Sequence, residues 1–378
     1  GGAFSFSQPA VGAYLAARAM AAGGPSEAVV RGGWPPAEAA VGYFAALSDA
    51  GPIVQRWMEA GHDALETGSL DAARLLRYAS RKAAWRQLVL RALAQILQSH
   101  QRPYGLRLRA VDALVLAGEP TAAILFRRLL TSDAASTRLL AAVGLGGLRD
   151  EESVTALTGV MAHDRELMVR QAACLGLAGI GSDAALEALG RALLEAEEGV
   201  RLAAAEALAC HPDEGYNMLR DAVEVENLLT RRAAVFGLAR VPEDWAMQIL
   251  EKVAVDDEQW VVRGAAAEAA ERRRNPPWRI PVPTQDPSQL PWLTAFAGKV
   301  GSGMAAGKAA MEMLRRALSS GSVEEQIAAL ETLGWLDATE FNLELNKALR
   351  SDQPFLRDAA FESLWRQAAP GVLLIPAA

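Results

Sequence analysis

Arg170-Gln171-Ala172-Ala173-Cys174-Leu175-Gly176-Leu177 is the stretch on which the reading of this chain turns. Its pattern, Arg-x-Ala-Ala-x-x-Gly/Ala-Leu, returns at 201–208 and 231–238 and, less strictly, at 138–145 and 263–270, and a weaker copy opens at Arg107. The lead residues Arg107, Arg138, Arg170, Arg201, Arg231 and Arg263 stand 31, 32, 31, 30 and 32 residues apart, the length of two short helices and two turns. A fixed period in this range marks a repeat architecture. Two further copies, led by Gln326 and Arg357, are again 31 residues apart.

Within one period the chain reads as helix A, turn, helix B, turn. In the best copy, 151–162 is helix A, His163-Asp164 the turn and 165–180 helix B, closed by Gly181-Ser182-Asp183. Gly after a helix and Ser or Asp before the next are stop and start signals. In helix B the offsets +2, +3, +6 and +7 from the lead Arg fall on one side of a 3.6-residue helix. Small residues there allow close backbone approach, and Val154, Leu157, Val160 and Met161 supply the apolar face of helix A. The fold class expected is all-α, a solenoid of helix pairs wound as a right-handed superhelix.

Each repeat buries its apolar face against its neighbours, so 378 residues can form one array. The organisation expected is an N-terminal helical cap of divergent repeats (1–104), a regular array (105–275), a Pro-rich loop (276–290), and a degenerate repeat followed by C-terminal repeats (291–378). In the cap, 9–22, 36–47, 52–65, 70–80 and 83–99 read as helical. Pro276, Pro277, Pro281, Pro283 and Pro287 forbid regular helix in the loop.

The motif resembles HEAT repeats, and its short period with Val-Arg-x-Ala-Ala-x-x-Gly-Leu resembles the phycobilisome-lyase-type subclass. The likeness covers 107–274 well and 322–366 moderately. It implies a helical-repeat fold and leaves function open, because sites are grafted onto folds.

Hydrophobic residues make up 51% of the chain and aromatics only 6%, so the apolar content is mostly helix-forming Ala and Leu. Charges interrupt every helix-sized segment, which disfavours a membrane span. The opening Gly1-Gly2-Ala3-Phe4 carries no export signal; a cytoplasmic protein is expected, with export left open. Cys174 and Cys210 sit on equivalent helices of adjacent repeats and read as small hydrophobes rather than a disulfide or metal pair. No cofactor and no metal is expected.

Several signals of chemistry reduce to structure. Acidic turn residues precede the lead arginines (Asp133, Asp164, Glu197, Glu226, Asp256 and Asp257, Asp352), and in HEAT repeats such residues form a ladder of ion pairs between turns; Arg138, Arg170, Arg201, Arg231 and Arg263 are assigned to it. Arg rather than Lys suits a bidentate, partly buried pair. The stretch 303–309 lacks a phosphate loop's first Gly (Ser302 stands there), its final Ser or Thr (Ala309 stands there) and a preceding strand. The deoxyhypusine-hydroxylase type of HEAT enzyme needs paired His-Glu dipeptides, and His62, His100, His163 and His211 form none.

Two surfaces rise above this background. Nine basic residues and no acid lie between Arg74 and Arg109, giving residues 1–110 a net charge of +5 within a chain of net −7. Arg74, Arg77, Arg81 and Trp85 recur at helical spacing as a candidate basic face for an acidic partner. The second surface is the outward stripe of the B helices at +1, +5 and +8, where Leu139, Val143, Leu175, Leu202 and Phe236 are expected to line one exposed groove that turns acidic at Glu268, Glu271, Glu331, Asp358 and Glu362. An exposed apolar ridge rimmed by charge suits protein binding. The reading is therefore a non-catalytic scaffold or adaptor gripping a protein partner on the concave B-helix surface. An enzyme or enzyme subunit of the bilin-lyase kind is the alternative, and nucleic-acid binding through 74–109 a second and less favoured one.

Overall fold

The computed structural model describes residues 8–24, 34, 36–59, 63, 65–275, 286–303, 307–336 and 338–367, and its regular elements are helices. Among the described residues there are 21 α-helices, so the chain is all-α. They are α1 (Pro9–Ala21), α2 (Ala37–Leu47), α3 (Gly51–Glu59), α4 (Thr67–Arg74), α5 (Arg86–Gln98) and α6 (Tyr104–Ala117). Next come α7 (Pro120–Leu129), α8 (Ala135–Leu148), α9 (Val154–His163), α10 (Leu167–Ile180), α11 (Asp183–Glu195), α12 (Glu198–Leu208), α13 (Glu214–Ala222), α14 (Leu228–Leu238), α15 (Asp244–Asp256) and α16 (Trp260–Arg274). The last are α17 (Pro291–Lys299), α18 (Lys308–Ser320), α19 (Val323–Leu336), α20 (Asn342–Ala348) and α21 (Pro354–Gln367). The chain divides into two compact units, Gly118–Pro281 and the pair of segments Gly1–Ala117 and Val282–Ala378.

Unit Gly118–Pro281 is built from A/B pairs, α7/α8 through α15/α16. Each B helix packs on its own A helix and on the next B helix. The small residues of the motif decide how closely. A Cβ on Gly176 would stand 2.6 Å from the Ala142 carbonyl oxygen, and one on Gly179 would stand 2.8 Å from Gly146, so α8 and α10 touch backbone to backbone. Gly237 repeats this between α12 and α14, 2.7 Å from the Ala205 oxygen. Gly181 ends α10 at φ +66°, the left-handed conformation that glycine adopts without a Cβ penalty. Leu140, Leu145, Leu157, Leu177 and Leu208 fill the layer between A and B helices.

In the other unit α1 pairs with α2, α3 with α4, and α5 with α6. The segment after the Pro-rich stretch has an apolar cluster of its own, in which Leu293 and Phe296 of α17, Met313 and Leu314 of α18, Leu333 of α19 and Phe341 meet. Within this unit α21 packs on both α19 and α6.

Local departures from the expected helices have physical causes. The helix expected over 70–80 ends at Arg74, because the buried Arg86 guanidinium takes the carbonyls of Leu76 and Ala79, acceptors a continuing helix would have used itself. Of the helix expected over 52–65, α3 is described as far as Glu59 and Asp63 and Leu65 are not helical, while α16 continues to Arg274. Residues 276–285 of the expected Pro-rich loop lie outside the described residues; Pro287–Gln289 forms a single 3-10 turn. Of the stretch 303–309, residues 304–306 also lie outside them, and Lys308 opens α18.

Candidate protein-binding surface

The lead arginines fix how successive B helices stand. Arg138 is buried with its partner: its Nε and Nη2 donate to the two oxygens of Asp164 at 2.7 and 2.8 Å, while Nη1 donates to the carbonyls of Ser132 and Asp133. Arg231 repeats the pattern with Asp257 at 2.7 and 3.1 Å and the carbonyls of Val225 and Glu226. Arg170 bonds Glu197 and the Asp164 carbonyl.

The carboxylate therefore comes from the next repeat, 26 or 27 residues on, and not from the acidic residue just before the Arg. That preceding residue serves the Arg of the repeat before. Arg170 takes only the carbonyl of Asp164, whose carboxylate belongs to Arg138. Asp164 and Asp257 also accept the N–H of Glu166 and Gln259, so one carboxylate both closes the turn ahead of its own helix and holds the previous one. Arg201 departs from the pattern, bonding the Leu193, Leu194 and Ala196 carbonyls and the Thr230 hydroxyl, and Arg263 bonds the Asp257 and Glu258 carbonyls.

The guanidinium hydrogen bonds of Arg127, Arg138 and Arg231 hold the carboxyls of Asp150, Asp164 and Asp257 below the usual range. A depressed folded-state pKa contributes stability above the unfolded value of about 4, lost as pH falls through the folded value. Thermal denaturation followed by circular dichroism should thus show stability dropping below about pH 4, with a shallower acid slope in Asp164→Asn. An equal slope in that variant would remove the ladder from the account.

On the B helices of Gly118–Pro281, the positions four apart at −3, +1 and +5 from the lead Arg form one outward stripe. Leu139, Val143, Leu202 and Phe236 are half-buried on it, and Leu175 is 57% exposed. Stacking of α8, α10, α12, α14 and α16 sets these stripes side by side. Ion pairs interleave them, Arg232 of α14 with Glu198 of α12, and Arg240, just past the end of α14, with Glu206 of α12. Arg232 also lies over the Phe236 ring, 5.9 Å from its centroid. The apolar part is thus densest on α8 and α10.

Sequence reading missed the row at the start of the same helices. Leu167 and Met168 open α10, Leu228 and Leu229 open α14, and Trp260 opens α16, all exposed, with Met168 at 68% and Trp260 at 73%. Leu167 reaches the next repeat, since a Cβ on Gly199 would stand 2.9 Å from it. The signal is two apolar residues three and two places before the lead Arg, outside the span of the repeated motif. The residue between, Val169, Thr230 or Val262, is buried.

The basic face proposed at Arg74, Arg77, Arg81 and Trp85 does not form as expected. Helix α4 ends at Arg74, so the helical spacing has no helix to carry it, and Trp85 is buried. Much of the positive charge is engaged internally: Arg74 pairs with Glu38 and Asp71, Arg102 with Glu66, and Arg109 with Glu362, while Arg86 and Arg107 are buried against carbonyls. Arg77 and Arg81 are exposed, with Arg77 over the Tyr78 ring.

Burial pushes the Cys174 thiol up to about 12, a packed and unreactive side chain, while Cys210 is exposed. His211 bridges repeats through Nε2 and the Ala178 carbonyl at 2.8 Å. Among the described residues no group of His, Cys, Asp or Glu is placed to hold a metal, and no helix is long and apolar enough to cross a membrane.

The pattern of the family described as HEAT repeats matches residues 90–173, 125–209 and 200–271. No curated protein matches the sequence. Among solved structures, human deoxyhypusine hydroxylase in complex with glycerol is 16% identical, covering 70% of this chain and 97% of its own, at a TM-score of 0.27. YibA of E. coli is 16% identical, covering 77% and 100%, at 0.34. The complex of CpcE and CpcF of phycocyanin lyase from Nostoc sp. is 19% identical, covering 65% and 88%, at 0.29. At these scores the likenesses carry no argument about what this chain does. The repeated motif, the stacked helix pairs and the family match together make residues 90–271 of this chain an array of HEAT repeats.

Proposed function

We propose that the protein is a non-catalytic scaffold or adaptor that holds a protein partner against the outward stripes of the B helices in Gly118–Pro281. The observation that supports this is the exposed apolar row, Leu175 within the stripe and Leu167, Met168 and Trp260 at its edge. Contiguous exposed apolar surface rimmed by charge marks interaction sites in folded proteins. Aromatic anchors commonly dominate such interfaces. The Glu198–Arg232 and Glu206–Arg240 pairs would set register, while Leu139, Val143, Leu175, Leu202 and Phe236 supply the contact area.

A partner captured from the source cell should be retained by the wild-type protein and lost by Leu175→Asp, with Phe236→Ala weakening it by about 1–3 kcal/mol in a titration. Circular dichroism should stay unchanged and the melting temperature should fall little, because Leu175 is exposed and Phe236 only half-buried. Full retention of the partner by a folded Leu175→Asp, Trp260→Asp double variant would sink the assignment. The same titration with duplex DNA or RNA at two salt concentrations tests the nucleic-acid alternative. An assay for transfer of a tetrapyrrole to protein thiols tests the bilin-lyase alternative.

A further inference from the structure

Helix α21 meets α6 across more than 250 residues of sequence, whereas a solenoid repeat ordinarily touches only its neighbours. The contact is specific. The first N–H of α6, on Tyr104, is one of the donors a helix start leaves unpaired, and it donates to Asp358 Oδ1 at 2.6 Å. Arg109 donates to Glu362 at 3.1 Å and lies over the rings of Phe361 and Trp365, 5.0 and 4.1 Å from their centroids. Gly105 leaves room for this, since a Cβ there would meet the Phe361 ring at 2.9 Å.

The faces that meet are those consecutive B helices use on one another. In the array, a helix turns its +4 and +8 positions to the following one, as Ala142 and Gly146 of α8 do toward Gly176 and Gly179 of α10. The following helix answers with its −2, +6 and +9 positions, Gly199 of α12 and Gly176 and Gly179 of α10 among them. Phe361 and Trp365 are +4 and +8 from Arg357, and Gly105 is −2 from Arg107. So α21 stands to α6 as a preceding B helix would, although slid by about two helical turns. The space is there because α4, the short helix that also packs on α6, has eight residues against fourteen and spans about 12 Å of its 21 Å length.

We propose that α21 is an internal cap on the preceding-neighbour face of α6, and that a second copy of this chain occupies that face by reciprocal exchange whenever the internal contact is opened. The exchanged contact is identical to the internal one, the condition under which swapping costs little. Charge complementarity selects the occupant, with Arg109 on one face against Glu362 and Asp358 on the other. The segment that leaves keeps its own apolar cluster of Leu293, Phe296, Leu314 and Phe341, and does not have to unfold.

The test is a mixing experiment on the whole chain, read by light scattering after size exclusion. Arg109→Glu alone and Glu362→Arg alone each set like charges against each other and should stay monomeric. Mixed one to one, they should give a species of twice the chain mass, because exchange restores one opposite-charge pair and one native pair. The chain carrying both reversals should return to monomer. A mixture that remains monomeric, or single variants that associate as strongly as the mixture, would overturn the proposal, as would retention of some other macromolecule on α6 in place of the second copy. Should either reversal fail to fold, Arg109→Cys and Glu362→Cys chains, both with Cys210→Ala, are co-refolded and oxidised. A disulfide-linked dimer well above that of a Glu268→Cys control supports exchange, and parity with the control refutes it.

Discussion

Replacing Arg138 with alanine is expected to cost about 3–5 kcal/mol, because it strips a buried carboxylate of its partner rather than merely removing a favourable contact. The side chains of Arg138 and Asp164 are 7% and 8% exposed, and the guanidinium satisfies two carbonyls besides both carboxylate oxygens. Arg170→Ala should cost less, about 1–3 kcal/mol, because Glu197 is half-exposed and water replaces the lost donor. Arg138→Lys should recover only part of the loss, as an ammonium cannot make the paired donation. Denaturant melts of the three variants decide the matter. Equal losses for Arg138→Ala and Arg170→Ala would mean that burial of the pair is not what sets its contribution.

Gly176→Val is expected to destabilise by about 3 kcal/mol, toward the upper part of the usual overpacking range. Its Cβ would be forced to 2.6 Å from a backbone oxygen, an atom that cannot swing aside as a side chain tip can. Helices α8 and α10 would have to separate, loosening the contact of each with its other neighbours. Gly159→Ala in α9 is the contrasting case, with nothing within 4 Å of the added methyl. It should stabilise by about 0.5–1 kcal/mol, through the lower backbone entropy lost on folding. Thermal melts showing the same sign for both substitutions would remove the close approach as the reason for the motif's glycine.

The motif made the regular repeats legible because period, small residues and lead Arg agree within each copy. Legibility failed where side chains reach outside their own period. The helix expected at 70–80 looks helical by composition, yet Arg86 draws the carbonyls of Leu76 and Ala79 out of helical bonding and places Trp85 in the interior. The ladder was legible as Arg and acid at each turn but its partners were not, because a spacing of six aims the Arg170 guanidinium at the Asp164 main chain. On the candidate surface, Leu175 could be placed by offset alone, whereas Met168 and Trp260 require knowing that the first turns of α10 and α16 face solvent.

The sequence by itself determined what depends on local spacing: helix pairs repeated every 30 to 32 residues, small residues where B helices touch, and an Arg at each turn. Such features are set within one or two helical turns, where periodicity and propensity act directly. Only the tertiary structure decided which carboxylate each Arg takes, which turns stand exposed, and that the last described helix returns to α6. Those outcomes rest on contacts between residues about 26 to more than 250 apart, whose free energy comes from burial and paired hydrogen bonds that no local pattern records.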